Sequence, residues 1–246
     1  MSTNQSGHEQ NVVNFGVLNT RIATFGTAYN PSRSELFLLS LTKLQTDGEA
    51  VIVSFVADET KLKNAIAART LTFYGFDELI TRAINALRIS GASAQTIQQA
   101  EAIVRDLRGK RATPKLTDSQ ILAAKEKGED VKQVTLHNNT IDSKLENFAK
   151  LIQFLSTIPE YKPNETDLTI VALNARLTSL KTSNAAYHTA DAALDATRIT
   201  RNTLLYADGT GLVDIALAVK VYVKSAFGAT SPQYKQISDI VFTKQR

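Results

Sequence analysis

The sequence contains no cysteine. Disulfide bonds, thiolate nucleophiles, thiolate zinc sites and cysteine-ligated clusters are therefore excluded. Proline occurs 5 times and glycine 11 times in 246 residues, so few positions would interrupt a helix. This scarcity favours long helices and disfavours β-sandwiches, which need many turn residues.

Signals for export, membrane spanning and nucleic-acid binding are also lacking. The first ten residues, MSTNQSGHEQ, have neither the basic nor the apolar region of a secretory signal. No window approaches the about 18 consecutive apolar residues of a transmembrane helix. The net charge is +4, but basic and acidic residues are nearly balanced along the chain, with no basic block. We therefore expect a cytoplasmic protein that does not bind nucleic acid, and membrane action is unfavoured but stays open.

The chain repeats itself. The segment GASAQTIQQAEAIV, residues 91–104, is echoed by GATSPQYKQISDIV, residues 228–241. The offset between matched segments grows along the chain, as loop insertions between helices of fixed length would produce. Further matched segments are Tyr29-Asn30-Pro31 with Tyr161-Lys162-Pro163, and RTLTFY at 69–74 with RNTLLY at 201–206. This pattern predicts an internal duplication.

Apolar spacing within each copy is helical. Phe15, Leu18, Ile22 and Phe25 recur at intervals of three and four residues, and the second copy repeats the pattern from Leu145. Two long stretches without proline follow, residues 32–74 and 164–206. If unbroken, each would be about 65 Å long at 1.5 Å per residue. Gly48, inside the first stretch, is a place where a kink could form.

These patterns predict an all-α fold of two tandem homologous antiparallel bundles, each built on one helix of about 40 residues. The predicted boundaries are a first bundle at 1–110, a polar linker at 111–135 and a second bundle at 136–246. The linker could hold a short helix from Thr117 to Glu126. Whether the bundles lie side by side or share their long helices stays open at this point.

Three segments carry a resemblance to a known family. They are ENFAKLIQFLSTIPEYKPNETDL, the run from RITRNTLLYADGTG through SPQYKQISDIVF, and their weaker first-copy equivalents. These segments resemble an uncharacterised family of bacterial, all-helical, internally duplicated proteins of unknown function. The resemblance covers about two-thirds of the chain and implies no activity.

Residues that carry catalysis are scarce. The three histidines, His8, His137 and His188, do not form HxxxH or Glu-x-x-His patterns. The GxSxG, Walker A and GxGxxG motifs are absent. We therefore expect no catalytic residues, no metal and no cofactor, and a protein that is not an enzyme.

The densest polar constellation lies late in the second long helix. It could be an inward-facing carboxylate–guanidinium site, a surface ladder of ion pairs, or a structural latch. The latch is favoured because its arginine and its tyrosine recur in the first copy as Arg69 and Tyr74. The candidate residues are Asp191, Asp195, Arg198, Arg201, Asn202 and Tyr206.

One apolar run, AVIVSFVA at residues 50–57, is hydrophobic on all sides. It predicts either central burial or a contact between copies.

The leading functional hypothesis is a non-enzymatic helical scaffold or interaction protein that binds a protein partner or itself. The alternatives are a membrane-active bundle that exposes this run to lipid, and a bundle that binds a small ligand near Arg198, Arg201 and Tyr206.

Overall fold

The computed structural model of the chain describes residues 3–110, 117–127 and 140–244. Within those ranges the fold is all-helical without β-strands, which confirms the predicted all-α class. The α-helices in these ranges are α1 (Thr3–Ala23), α2 (Leu38–Phe73), α3 (Phe76–Arg88), α4 (Ala94–Leu107), α5 (Asp118–Glu126), α6 (Ile141–Ser156), α7 (Ile170–Tyr206), α8 (Leu212–Phe227) and α9 (Pro232–Ser238). Helix α5 occupies the predicted linker, of which residues 111–116 and 128–135 lie outside the described residues, as does His137.

The two predicted long helices are present as α2 and α7, with 36 and 37 residues. Each begins later than predicted, because a single-turn 3-10 helix precedes it: Ser34–Leu36 before α2 and Thr166–Leu168 before α7. Proline upstream disfavours a helical conformation in the residue before it, and the chain makes a separate turn before the long helix starts. The sequence predicted the proline breaks but not the 3-10 turns.

A buried tyrosine closes each of these turns in the same way. The hydroxyl of Tyr29 donates a hydrogen bond to the carbonyl oxygen of Leu36 at 2.8 Å. The hydroxyl of Tyr161 donates to the carbonyl oxygen of Leu168 at 2.9 Å. Burial raises the pKa of Tyr161 to about 12, and that of Tyr29 also rises, so both hydroxyls keep the proton that the hydrogen bond needs.

Helix α2 continues through Gly48. A Cβ atom at this position would lie only 3.3 Å from side-chain atoms of Val12 and Leu212. Glycine here therefore lets α2 approach α1 and α8 closely, which offsets the about 1 kcal/mol that glycine costs a helix relative to alanine.

The short helices α4 and α9 begin with the same local structure. Gly91 and Gly228, which precede them, have φ angles of 88° and 94°, a region that favours glycine. The hydroxyl oxygens of Ser93 and Ser231 then accept hydrogen bonds from the amides three residues on, at 3.2 and 3.1 Å. The predicted cap at Ser231, with Pro232 as the first helical residue, is confirmed.

Contacts divide the chain into two compact units. Unit 1 comprises residues 1–64 and 189–246. In it α1 packs against α8 and α9, and α8 packs against α9. The predicted seam of α1 is buried, since Phe15, Leu18 and Ile22 have no exposed surface. Each such side chain contributes about 1.5–3 kcal/mol of hydrophobic stabilisation.

Unit 2 comprises residues 65–188. In it α6 packs against α4, and α3 packs against α4. Phe76 of α3 meets Phe148 of α6 edge to face, with ring centroids 5.0 Å apart. The predicted seam of α6 is also buried, with Leu145 at 5% exposure and Phe148 and Leu155 at zero.

The compact units do not coincide with the predicted boundaries at 1–110, 111–135 and 136–246, because each unit draws on both halves of the sequence. Both long helices contribute residues to both units. Each long helix extends into both units because it is more than twice as long as helices α3 and α8. Helices α3 and α8 have 13 and 16 residues, about 20–24 Å, whereas α2 is about 54 Å long.

Candidate functional site

The predicted polar cluster on α7 separates into an exposed part and a buried part. Nη1 of Arg198 lies 2.7 Å from Oδ1 of Asp195, and both side chains are about half exposed. Asp191, one turn earlier, is half-buried and accepts no hydrogen bond from the described residues. An exposed pair of this kind contributes about 0–1 kcal/mol, so Asp195 and Arg198 form one surface ion pair, in which Asp191 takes no part.

Arg201 is buried, with 7% of its surface exposed. Its guanidinium carbon lies 4.6 Å from the centre of the Phe55 ring, which belongs to α2. Nε and Nη2 of Arg201 both donate to Oδ1 of Asn202, at 3.2 and 3.0 Å. Burial lowers the pKa of this guanidinium from its ordinary value. The cation is thus stabilised by an aromatic face and an amide oxygen.

Tyr206 joins α7 to α1. Its hydroxyl oxygen is 2.7 Å from Nδ1 of His8 and accepts a hydrogen bond from Nδ2 of Asn11 at 3.2 Å. Both partners are buried, with 8% and 2% exposure. Burial lowers the pKa of His8, and the charge of Arg201 lowers it further. A neutral His8 that accepts a hydrogen bond from the Tyr206 hydroxyl at Nδ1 fits this geometry, because the same hydroxyl oxygen then accepts from Asn11.

Asn11 extends this cluster to the C-terminal segment. Its Nδ2 donates to the carbonyl oxygen of Thr243 at 2.9 Å, and its Oδ1 accepts from the Thr243 amide at 3.0 Å. Nδ2 of Asn14, one turn on, donates to the carbonyl oxygen of Val241 at 2.7 Å. Two asparagines of α1 therefore bind the non-helical backbone after α9.

Unit 2 contains a related arrangement. The guanidinium carbon of Arg69 lies 3.6 Å from the centre of the Tyr187 ring, and its Nη1 donates to Oδ1 of Asn184 at 3.2 Å. As in unit 1, an arginine near the end of one long helix stacks on an aromatic ring in the middle of the other. The tyrosine differs between the two units, because Tyr74 is 82% exposed whereas Tyr206 is half-buried.

The geometry favours the latch among the three interpretations. Arg201 connects α7 to α2 through Phe55, and Tyr206 connects α7 to α1 through His8 and Asn11, the second of which binds the C-terminal segment. Sequence reasoning missed His8, Asn11 and Phe55. Phe55 carried a usable signal, because it occupies the same position in the first long stretch as Tyr187 in the second.

Metal and membrane features are absent from the described ranges. Among the residues that the structure places, no group of three or more histidine, aspartate and glutamate side chains is arranged to hold a metal ion. None of the helices in residues 3–110, 117–127 and 140–244 combines the length and apolarity needed to cross a bilayer.

The apolar run at residues 50–57 is only partly buried. Val51 and Phe55 are buried, with 7% and 5% exposure. Val53 and Val56 are 70% and 48% exposed, and the alanines at both ends of the run are exposed as well. The expectation of burial on several faces is therefore wrong for this side of α2. We define Ala50, Val53, Val56 and Ala57 as the outer face of α2.

Comparisons with protein-family models, with curated proteins and with solved structures find no match. The resemblance of the second half to a bacterial helical family therefore stays a prediction.

Proposed function

We propose that this protein is a non-enzymatic helical scaffold or interaction protein that associates with a second copy of itself through the outer face of α2. The observation that carries the proposal is the exposure of Val53 and Val56 next to Ala50 and Ala57. Positions 50, 53 and 57 recur at the spacing of one helix face, and the small alanines permit close approach of a second helix. Burying this face would stabilise the association by about 25 cal/mol for each Å² of apolar surface that is removed from water.

The charges that flank this face favour a second copy as the occupant. Glu49 is exposed and comes just before the face. Lys61 and Lys63 follow it with side chains 69% and 68% exposed, and within α2 they already form exposed ion pairs with Asp58 and Glu59, at 2.9 and 3.2 Å, which a partner's carboxylate would have to compete with. The intervening Asp58 is turned inward, 2.6 Å from the hydroxyl of Thr197. In a two-fold pair with antiparallel α2 helices, the acidic start of each face lies beside the basic end of the other.

Analytical ultracentrifugation of the full chain over a range of concentrations tests this proposal. We expect a reversible dimer for the wild type and at least about tenfold weaker association for V53K, because the substitution places a charge in the apolar contact. The matched control is V171K, since Val171 of α7 is 80% exposed but lies outside the face. A wild type that stays monomeric throughout, or equal effects of V53K and V171K, would refute self-association through α2.

A charge-reversal series tests the antiparallel arrangement. E49K is expected to weaken the dimer, and E49K combined with K61E and K63E is expected to restore it, because the pattern is then reversed on both sides. Failure of the triple variant to recover association would contradict this pairing. Leakage of anionic vesicles that depends on Val53, in a protein that remains monomeric, would favour the membrane-active alternative instead.

We also propose that the two halves arose by duplication and form two homologous antiparallel bundles that share their long helices. Support comes from structure repeated at matched positions: the tyrosine-closed turns before α2 and α7, the serine caps of α4 and α9, and the arginine–aromatic stacks of the two units. Two copies need the same turns and latches, so their recurrence is the expected trace of a common origin.

A further inference from the structure

A cavity of about 250 Å³ opens between α3 and α4 in unit 2. It is distinct from the latch and from the outer face of α2. Its volume lies just below the about 300–1,000 Å³ that is usual for small-molecule sites, which suits a ligand of a few heavy atoms. The lining residues are Thr81, Ile84, Asn85, Arg88, Glu101, Val104, Arg105, Arg108 and Lys110.

Positively charged side chains are in large excess around this cavity. Four basic side chains line it, those of Arg88, Arg105, Arg108 and Lys110, against the single carboxylate of Glu101. The chain as a whole is nearly balanced, with 28 basic and 24 acidic residues, so the excess is local. A surplus of positive charge in a concave site concentrates anions.

Two of the four cations already have partners. Nε and Nη2 of Arg88 donate to Oε1 of Glu101, at 3.0 and 2.6 Å. Nη2 of Arg108 donates to the hydroxyl oxygen of Thr81 at 2.6 Å. These contacts hold both guanidinium groups at the wall of the cavity. Glu101 also competes with any anion for Arg88.

Arg105 lines the cavity with a guanidinium group that lacks a partner in the described part of the chain. Its Nε atom is buried and has no hydrogen-bond partner among the residues that the structure describes. Its guanidinium forms no ion pair with a side chain in the described part of the chain, and neither does the ammonium group of Lys110. A buried donor without an acceptor costs free energy, and nearly all such donors in folded proteins are satisfied. The Nε atom itself is closed off from the cavity, so an anion there would contact the terminal nitrogens of this guanidinium, since Arg105 lines the cavity.

We propose that this cavity binds the phosphate group of a small molecule. The two cations without partners, Arg105 and Lys110, match the two charges of a phosphate dianion. The guanidinium fork of Arg105 fits two phosphate oxygens, and the side-chain amide nitrogen of Asn85 can donate a further hydrogen bond, since its oxygen already accepts from Arg88. A metal cation is disfavoured by the surplus positive charge, and an apolar ligand would leave these donors unsatisfied.

Binding of inorganic phosphate to the full chain is the direct test. Isothermal titration calorimetry and ³¹P NMR are run with ionic strength held constant by chloride. We expect saturable binding by the wild type and about 10- to 100-fold weaker binding by R105Q, which removes charge-assisted hydrogen bonds. R198Q is the matched control and binds as the wild type does, because Arg198 is an exposed arginine in unit 1.

A second variant makes the test independent of any loss of stability in R105Q. E101Q removes the carboxylate that competes for Arg88, so it is expected to bind phosphate several-fold more tightly than the wild type. Weaker or unchanged binding by E101Q contradicts the proposal. Equal binding by R105Q and the wild type, or no saturable binding by the wild type, also overturns it.

Two further probes distinguish the source of the phosphate group. A soluble phosphomonoester and vesicles containing phosphatidic acid are each titrated with the wild type and R105Q. Arg105-dependent binding of the monoester supports a small soluble ligand. Arg105-dependent binding of the vesicles alone contradicts a small-molecule ligand and assigns the cavity to a lipid headgroup.

Discussion

At the scale of single residues, the central feature is a buried polar cluster without a carboxylate. Tyr206 shares hydrogen bonds with His8 and Asn11, and Arg201, one turn earlier on α7, lies against the Phe55 ring and donates to the amide oxygen of Asn202. Polar groups in a low-dielectric interior are stabilising when each has a partner and costly when one is removed. The cluster therefore acts as a latch whose parts depend on one another.

Removing the hydroxyl of Tyr206 tests this dependence. We expect Y206F to lower the free energy of unfolding by about 1–3 kcal/mol, because His8 and Asn11 then lose a shared partner in the interior. Y74F is the matched control at the corresponding position of the first half. Tyr74 is 82% exposed, so Y74F is expected to change stability by less than about 0.5 kcal/mol. Urea denaturation of both variants measures the difference, and equal effects would rule out the latch.

The buried His8 predicts a pH dependence of stability. Its pKa is lowered below the ordinary value of 6.5, first by burial and then by Arg201. The unfolded chain therefore takes up the proton at a higher pH than the folded protein does. The contribution of neutral His8 is complete above pH 6.5 and is lost as the pH falls through the lower folded value.

Urea denaturation between about pH 5 and 7.5, the range of histidine titration, measures this slope. The wild type is expected to lose stability as the pH falls, whereas H8Q, which cannot titrate, is expected to give a flatter profile. H188Q is the control, because His188 has a side chain 55% exposed. A wild-type slope that H8Q leaves unchanged would show that His8 does not titrate differently on folding.

At the scale of helices, close packing of α2 against α1 and α8 depends on Gly48. We expect G48V to destabilise the protein by about 1–3 kcal/mol, because its Cβ would already lie 3.3 Å from Val12 and Leu212 and the additional methyl groups have no room. A67V places the same side chain at an exposed position of the same helix. Thermal and urea unfolding compare the two variants, and a G48V protein as stable as A67V would contradict the close approach.

The sequence predicted helices well where the signal is local. Spacing of three and four residues located the buried seams of α1 and α6, and Ser231-Pro232 located the start of α9. The 3-10 turns before α2 and α7 were not predicted, because each depends on a hydrogen bond from a tyrosine hydroxyl to a carbonyl oxygen seven residues away. The exposure of Val53 and Val56 was not predicted either. When all sides of a helix are apolar, the sequence does not show which side is buried.

At the scale of the whole molecule, the pairing of helices could not be read from the sequence. The seams of α1 and α6 carry the same types of residue, so either could pack against α3 or α8. In the structure α1 packs against α8, and α6 packs against α4, so each partner comes from the other half of the chain. Of the predicted site, Arg201, Asn202 and Tyr206 lie in the buried polar cluster, whereas Asp191, Asp195 and Arg198 do not, and the partners His8 and Asn11 lie on α1, far away in sequence.

The most direct measurement of this architecture divides the chain within the predicted linker. Residues 1–127 and 128–246 are expressed separately, and each is studied alone and after mixing by circular dichroism and size-exclusion chromatography with light scattering. Because each compact unit draws on both halves, we expect neither fragment alone to unfold cooperatively, and the mixture to form a 1:1 complex with the helicity of the intact protein. Two fragments that each fold cooperatively as monomers and do not associate would contradict it.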